Sequence, residues 1–221
     1  MSKVEVDGGI LSPFGPRILS IKLPDNIIER INHLGDTQQN KNNMNGRLVG
    51  IIKDEPELTS EEMDSIGIKK IFMDIGHQYV HTILLDKHHI DYNKDDFKID
   101  MKLVSGWIVN QKENEYNPVH QHSNCSISAV LYLKVPEFEP RGYEGKEELD
   151  GKICFIHSTI DHTKLSAGSF IVKPEVGKLL MFPSSLLHTV YPFKGPGERR
   201  SLAFNLDYRL LKGEDNDISS K

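Results

Sequence analysis

The chain has 221 residues, and its 27 Lys and Arg against 32 Asp and Glu give a formal net charge of -5. This length suits one domain with its own core, and the acidic balance without a basic run argues against nucleic acid as a partner. Two cysteines do not make a disulfide scaffold. Because no apolar run has the character of a signal peptide or the length of a membrane span, we expect a soluble protein of the cytoplasm with no membrane partner.

The first fifty residues predict a strand, a short helix and a loop. Residues 17–23 alternate loosely and end at Pro24, which predicts a strand near the start of the domain. A helix is expected next, with Asp25 as its cap, apolar residues at helical spacing and Gly35 at its end. Residues 38–47 are polar, so we expect an exposed loop there.

A second helical region is predicted from Thr59 onward, because Thr59 and Glu62 have the spacing of a capping box. A stripe of apolar residues at helical spacing is expected to lie on a sheet: Ile68, Phe72, Ile75, Tyr79 and Ile83. Gly67 and Gly76 argue against one uninterrupted helix.

From Lys98 the pattern changes to strands. One extended segment is expected to place five residues on a single face: Met101, Leu103, Ser105, Trp107 and Val109. Further strand candidates are residues 126–133, 152–156, 169–172, 178–182 and 201–206. Helices followed by many short strands predict an α+β, mainly β fold, in which the N-terminal helices pack on one sheet of a sandwich or open barrel.

Three of the 10 histidines stand out by their placement. His120 and His122 point to one face if their segment is extended, and His188 follows an apolar run broken by Pro183. Any one histidine is more often structural than a ligand. Three imidazoles that meet at the rim of a sheet can fill three corners of a metal's coordination sphere, so the group predicts a metal centre.

A cationic pocket is predicted beside the histidines. On an extended strand Arg199 and Ser201 share a face, so the guanidinium and the hydroxyl can hold one carboxylate. Arg200 then points the other way, as a surface or ion-pair residue. Non-haem iron sites that activate dioxygen typically combine two histidines with one carboxylate, and a 2-oxo acid that chelates the iron needs a cation for its far carboxylate. Here His122 stands where the acid is expected.

The remaining polar and aromatic residues have mainly structural interpretations. Trp107 is expected in the core rather than in the cleft, and Cys125 is interpreted as structural because a free thiol near ferrous iron is readily oxidised. His88 and His89 are expected to end a helix, where a cation suits the dipole. The other histidines given a structural interpretation are His77, His81, His157 and His162.

These motifs, taken in order, resemble the 2-oxoglutarate- and iron(II)-dependent oxygenases. The similarity is greatest to a branch found in phages and marine bacteria, and more distant to prolyl hydroxylases. It covers roughly Lys98 to Tyr208 and is carried by Trp107 with Asn110 and by residues 117–124, 126–133, 177–190 and 199–205. The N-terminal half carries no motif of the family.

The resemblance implies a double-stranded β-helix, the cupin-like jelly roll, with Fe(II) as cofactor and 2-oxoglutarate as cosubstrate. By position, His120 matches the first metal ligand, His188 the distal one, and Arg199 with Ser201 the clamp on the far carboxylate. His122 occupies the place of the acid. The site can then be a three-histidine iron site, a two-histidine site with an open position or a distant carboxylate, or a site without metal; the first is favoured, because a neutral imidazole is a competent ligand for Fe(II).

Two further residues are candidates for the cosubstrate pocket. Tyr132 is expected either to hydrogen-bond 2-oxoglutarate or to pack as an ordinary strand tyrosine, and Asn205 either to reach the pocket or to satisfy backbone groups. The predicted metal ligands are thus His120, His122 and His188, and the predicted 2-oxoglutarate contacts are Arg199, Ser201, Tyr132 and Asn205.

The expected protein is a single oxygenase domain over residues 1–211, with helical support over 1–97, a jelly-roll core over 98–208 and a flexible tail over 212–221. Its expected activity is hydroxylation, with dioxygen, of a small-molecule or peptidyl substrate such as a prolyl group or an amino acid. The loops at 38–47 and 136–150 are expected to cover the cleft. A homodimer is one expected assembly, and a viral chain would act in the host cytoplasm. The alternatives are a three-histidine dioxygenase or isomerase without 2-oxoglutarate and a non-catalytic ligand-binding jelly roll.

Overall fold

The fold consists of two antiparallel sheets and three helices, seen in a computed structural model that describes residues 8–11, 15–37, 42–85, 97–140, 142, 148–157, 168–212 and 216–217. The helices are α1 (Asp25–Asp36), α2 (Ser60–Ser65) and α3 (Ile68–Leu85). The strands are β1 (Gly8–Leu11), β2 (Ile18–Lys22), β3 (Lys98–Gln111), β4 (Asn117–His120), β5 (Ile127–Lys134), β6 (Ile153–Ile156), β7 (Ser169–Val172), β8 (Lys178–Pro183), β9 (Leu187–Val190), β10 (Arg199–Lys212) and β11 (Asn216–Asp217). The prediction of a mainly β fold is confirmed.

The two sheets have different sizes and roles. The larger one has the order β1-β2-β8-β5-β10, with β3 on the other edge of β10 and β11 at the end of β10. The smaller one has the order β4-β9-β6-β7. The predicted early strand, β2, pairs with β8 and so extends the larger sheet. The N-terminal part of the chain therefore supplies a sheet strand as well as helices.

Apolar residues form a core on each face of the larger sheet. On β5, the odd-numbered residues from Ile127 to Leu133 pack with the helices, whereas Tyr132 packs between the two sheets with Phe155 and Phe182. This alternation confirms the prediction for residues 126–133, since successive side chains of a strand point to opposite faces. The layer between the sheets is where the site lies.

The prediction of one continuous face on β3 was wrong. Asn205 of β10 pairs with Ser105, but the next residue, Leu206, pairs with Leu103, so β3 has one extra residue at this point. Such a β-bulge moves the residues beyond it to the opposite face. Leu103 therefore packs with the helices, whereas Trp107 lies in a separate cluster towards the other face.

Helix α1 differs from its prediction at both ends. Asp25 is the first helical residue rather than the cap: Pro24 stands at the cap position and makes no side-chain hydrogen bond there. The helix continues past Gly35 to Asp36. Gly35 is buried, and a Cβ at this position would stand 3.5 Å from Nη1 of Arg200, so the glycine marks a close approach of α1 to the sheet.

The second helical region is confirmed, together with its interruption. Thr59 Oγ1 accepts a hydrogen bond from Glu62 N, and Glu62 Oε2 accepts one from Thr59 N, which is the predicted capping box. Gly67 has a φ of 68° and separates α2 from α3. Gly76 lies inside α3 without interrupting it. A Cβ at this position would stand 2.5 Å from Leu206 Cδ1, so the glycine lets the helix lie close on the sheet.

Some predictions fall outside the described residues. These are the helix end at His88 and His89 and the interpretation of His162. Of the predicted tail, Asn216 and Asp217 pair with the end of β10, and 213–215 and 218–221 lie outside the described part. Within the described helices, none has both the length and the apolar character to cross a membrane.

Candidate metal centre and its pocket

Strand pairing brings the three predicted histidines together. His120 of β4 pairs with His188 of β9 in the smaller sheet. His122 lies just beyond β4, where its backbone N–H donates a hydrogen bond of 2.9 Å to the carbonyl of Ser184. This hydrogen bond to the turn that precedes β9 thus holds the backbone at His122 in place.

The three imidazoles are close enough to share one ion. One ring nitrogen from each of His120, His122 and His188 lies within 4.8 Å of the other two. The ring centroids of His120 and His188 are 4.2 Å apart, and that of His122 is 5.3 Å from each of them. Among the residues that the structure describes, this is the one group of three or more metal-ligating side chains, and no Asp or Glu joins it.

Hydrogen bonds at the far side of two rings fix their tautomers. Nδ1 of His120 lies 2.7 Å from the carbonyl oxygen of Pro118, and Nδ1 of His188 lies 2.9 Å from that of Leu186. A carbonyl oxygen only accepts, so each Nδ1 carries the proton and each Nε2 keeps a lone pair for a ligand bond. This donor set fits a metal ion.

The histidines are neutral in this environment. Burial lowers the pKa of His188 to about 3 and that of His122 to about 4, and in both cases the nearby His120 adds to the effect. Burial also lowers the pKa of His120. Protons therefore compete little with a metal for these nitrogens at neutral pH.

His122 is held between two rings. The indole of Trp107 stacks on one side at 6.0 Å with an interplanar angle of 22°, and His188 lies at 5.3 Å with an angle of 18°. Trp107 is 5% exposed and also lines the pocket, so the two interpretations of this residue, core and cleft wall, both hold. Cys125 is not part of the group; its carbonyl accepts a hydrogen bond from Ser184 Oγ.

Arg199 is a buried cation that forms no ion pair with a described Asp or Glu. It is 1% exposed, and its Cζ lies 4.8 Å from the ring centroid of Tyr132. Nη1 donates a hydrogen bond of 3.0 Å to Oε1 of Gln111, whereas Nε, Nη2 and the Tyr132 hydroxyl meet no hydrogen-bond geometry with any described residue. Burial lowers the pKa of Arg199 and raises that of Tyr132. Unpaired buried polar groups are costly, so this pair suits a carboxylate ligand.

The prediction that Arg199 and Arg200 point opposite ways is confirmed. Ser201 lines the pocket together with Arg199. Arg200 instead forms ion pairs with Asp36 of α1 at 2.6 Å and with Glu198 at 2.9 Å. It is only 4% exposed, so the ion-pair interpretation holds and the surface interpretation was wrong.

Asn205 lines the pocket on the histidine side. Its Oδ1 accepts a hydrogen bond of 2.9 Å from Ser128 Oγ, and its Nδ2 donates one of 3.1 Å to Ser105 Oγ. A further hydrogen bond with His122 opposes the fall in the pKa of that histidine. Side-chain partners, rather than the backbone groups considered from the sequence, satisfy this amide.

One cavity of about 310 Å³ connects these groups. The three histidines, Arg199 and Ser201 all line it. Residues 42–58, which we call the cover segment, supply five residues to its lining: Met44, Arg47, Leu48, Val49 and Glu55. This segment is hydrogen-bonded to both sheets: Ile108 N donates to Pro56 O, and Ile51 N donates to Tyr116 O, next to β4.

The two loops predicted to cover the cleft have different positions. Residues 42–47 of the first belong to the cover segment, where Met44 and Arg47 line the cavity, and 38–41 lie outside the described residues. In the second, none of the described residues lines the cavity. Phe138 of that loop packs on Phe193 instead, with ring centroids 5.1 Å apart.

Sequence reasoning missed Glu55. Its side chain is 1% exposed and lines the cavity, and its Oε2 has no hydrogen-bond partner in the part of the chain that the structure describes. Burial raises the pKa of Glu55 to about 7, and the charges of Glu115 and Asp54 add to this. Within an Asp-Glu-Pro-Glu run the residue has the pattern of a solvated acid, and only the cover segment's path along β3 buries it.

We expect Glu55→Gln to stabilise the protein at high pH. The pKa of Glu55 in the folded protein is about 7, above the ordinary value of 4.5. The contribution of this carboxyl group to the free energy of unfolding is therefore fully present below pH 4.5 and is lost as the pH rises through about 7. The variant should therefore exceed the wild type by about 2 to 3 kcal/mol in free energy of unfolding at pH 8, with little difference at pH 4.5. Urea denaturation at the two pH values measures this, and a difference that does not change with pH would contradict it.

Comparison with known proteins finds a similar family. Residues 105–205 match the family model described as "Putative 2OG-Fe(II) oxygenase". The chain is similar to this family, as its sequence predicted. The matched segment begins at the bulge in β3 and ends at Asn205, so it contains every residue assigned to the metal and the cosubstrate. No curated protein matches the sequence.

Solved structures share the fold at low sequence identity. AviO1 from Streptomyces viridochromogenes Tue57 gives a TM-score of 0.55 at 9% identity, over 86% of this chain and 89% of that one. An oxidoreductase of the 2OG-Fe(II) oxygenase family from Burkholderia pseudomallei gives 0.52 at 12%, over 85% and 84%. A prolyl hydroxylase from Trichoplax adhaerens, in complex with a peptide fragment of the hypoxia inducible factor oxygen degradation domain, gives 0.51 at 12%, over 86% and 82%. Such identities show a common fold alone.

Proposed function

We propose that this protein is an Fe(II)- and 2-oxoglutarate-dependent oxygenase that hydroxylates its substrate with dioxygen. The observation that carries the proposal is one cavity with three histidine nitrogens at one end and a buried, partly unpaired Arg199 beside it. We further propose that residues 1–211 form one domain and that the two sheets form a double-stranded β-helix. Assembly as a homodimer stays a prediction.

In this proposal His120, His122 and His188 hold Fe(II), and Arg199 and Ser201 hold the far carboxylate of 2-oxoglutarate. When bound, the iron supplies the redox chemistry that couples oxidation of the 2-oxo acid to hydroxylation of the substrate. Tyr132 and Asn205 complete the cosubstrate contacts from opposite ends. The hydroxyl of Tyr132, which has no hydrogen-bond partner among the described residues, donates to the far carboxylate, and Asn205, which hydrogen-bonds His122, lies towards the metal.

The protein's own groups contribute orientation and desolvation. The backbone carbonyls of Pro118 and Leu186 hold two imidazoles with Nε2 available. Gln111 holds one arm of the Arg199 guanidinium and leaves the other free for a ligand. In a site that excludes water, such fixed charges act more strongly on a bound anion than they would in solution.

An anaerobic titration tests the cosubstrate assignment. Fe(II) followed by 2-oxoglutarate should produce the visible charge-transfer band of the chelate, because the keto oxygen and its neighbouring carboxylate bind the metal together. Succinate, which has the same two carboxylates but no keto group, is the matched control and should produce none. A protein that binds Fe(II) but gives no band with 2-oxoglutarate would contradict the proposal.

A second candidate function is favoured by His122. Three neutral imidazoles with no described carboxylate also suit a cupin-type dioxygenase or isomerase that uses no 2-oxo acid, in which Arg199 binds the substrate's own acid. Oxygen uptake or isomerisation in the absence of any 2-oxo acid would identify that class. A non-catalytic binding module would show neither activity although the metal site is filled.

A further inference from the structure

Glu55 is a buried acid that has no role in the proposed reaction. No Lys, Arg or His in the described residues forms an ion pair with it, and its Oε2 makes no hydrogen bond. The nearest charges that act on it, those of Glu115 and Asp54, are negative. A carboxylate taken out of water is unfavourable unless a cation or several donors meet it. The position therefore favours a positively charged ligand.

Glu55 lies apart from both groups of the proposed reaction. The bridge between Glu57 of the cover segment and Trp107 of β3 continues with Glu55 opposite Val109, and Val109 pairs with Ser201 of β10. Since neighbouring strands lie about 4.8 Å apart, Glu55 stands two strands, about 10 Å, from Ser201 along the sheet. It also lies outside the metal-ligating group. The cavity thus has a third, chemically distinct region.

The walls of this region are apolar. Met44, Leu48 and Val49 of the cover segment line the cavity, as do Trp107 and Val109 of β3, against which Met44 and Leu48 pack. Val49 is also 52% exposed, so this wall reaches solvent. An apolar lining that contains one carboxyl group suits a ligand with a cationic group at the end of an aliphatic stem, as in lysine or arginine.

The geometry points to a substrate that carries an aliphatic amine or guanidinium group, bound by Glu55 beneath the cover segment. This inference rests on the proposed function for the reaction itself. It fixes the substrate class: a basic amino acid or a related amine, either free or within a peptide. Arg47, which lines the same cavity, would meet the α-carboxylate of a free amino acid.

Pairs of probes that differ in one charge test the inference by calorimetric titration of the full chain. Lysine is compared with norleucine, and arginine with citrulline, with and without Fe(II) and 2-oxoglutarate under anaerobic conditions. We expect the wild type to bind the cationic member of each pair at least tenfold more tightly, and Glu55→Gln to lose that preference. Lysine with blocked α-amino and α-carboxyl groups represents a lysine within a peptide. Arg47→Gln should weaken the binding of free lysine but not of the blocked form, because only free lysine has an α-carboxylate for Arg47 to meet.

Glu57→Gln is the matched control. It removes the same charge from the same segment, its amide can still accept the hydrogen bond from Asn42 Nδ2, and Glu57 does not line the cavity. This variant should keep the preference for cations. Equal binding of charged and neutral probes by the wild type, or loss of the preference in both variants, would overturn the inference. The anaerobic charge-transfer band of iron and 2-oxoglutarate tests the proposed function independently. A band without a cation preference would support the proposed function and contradict the role of Glu55. A cation preference without a band would support the role of Glu55 and contradict the proposed function.

Discussion

Arg199→Gln should weaken 2-oxoglutarate binding by about 100-fold and leave Fe(II) binding unchanged. The variant removes a buried cation whose Nε and Nη2 have no hydrogen-bond partner among the described residues, so the far carboxylate of the cosubstrate would lose its countercharge. Removing one partner of a buried, hydrogen-bonded charge pair costs about 3 kcal/mol, which corresponds to that factor. Titration of the anaerobic charge-transfer band with 2-oxoglutarate measures the change.

The neighbouring arginine provides the control for this experiment. Arg200 has the same side chain one position along β10, but it pairs with Asp36 and Glu198 on the other face. Arg200→Gln should lower the free energy of unfolding, because it removes the buried cation of this network and leaves Asp36 with Lys134 and Glu198 with Lys112, which are more exposed. It should not change the affinity for 2-oxoglutarate. If both variants lost the cosubstrate equally, the effect of Arg199 would be one of folding rather than of binding.

His188→Ala should abolish measurable Fe(II) binding. Groups that hydrogen-bond a metal ligand are typically worth about 10- to 100-fold in metal affinity, so loss of a ligand itself should cost more than about 100-fold. His188 is also the most buried of the three histidines, and no other described side chain can replace it in the group. Metal binding measured by competition with a chelator tests this, with His33→Ala on the exposed face of α1 as the control.

His122 tests which type of iron site is present. If it coordinates the metal, His122→Ala should weaken Fe(II) binding by a similar factor, whereas His122→Asp should retain the metal through a carboxylate. If instead it only packs between Trp107 and His188, both variants should bind Fe(II) as the wild type does. Strong binding by the alanine variant would thus reduce the site to two histidines.

The comparison between sequence and structure is clearest in β3 and the cover segment. The alternation of β5 and the capping box at Thr59 were read correctly, because each depends on residues close in sequence. The bulge in β3 was not predicted, because the register of this strand is set by its pairing with β10, which lies about a hundred residues further along the chain. This bulge also places Trp107 against His122.

The sequence by itself determined which residues compose the candidate site. Strand alternation predicted that Arg199 and Ser201 share a face, and the spacing of His120 and His122 with a distant His188 predicted a shared centre. The family resemblance added which residue would take which role. The grouping of these residues could be predicted because it rests on local periodicity and on an ordered set of motifs, whereas the role of each residue stays a prediction.

Only the tertiary structure decided the environment of these groups. Pairing of β4 with β9 brings His188 to His120, and burial keeps the imidazoles neutral. The path of the cover segment along β3 buries Glu55 in the same cavity as Arg199. Burial and the absence of a partner depend on residues remote in sequence, so the charge state and availability of a side chain follow from the assembled fold and not from the order of residues alone.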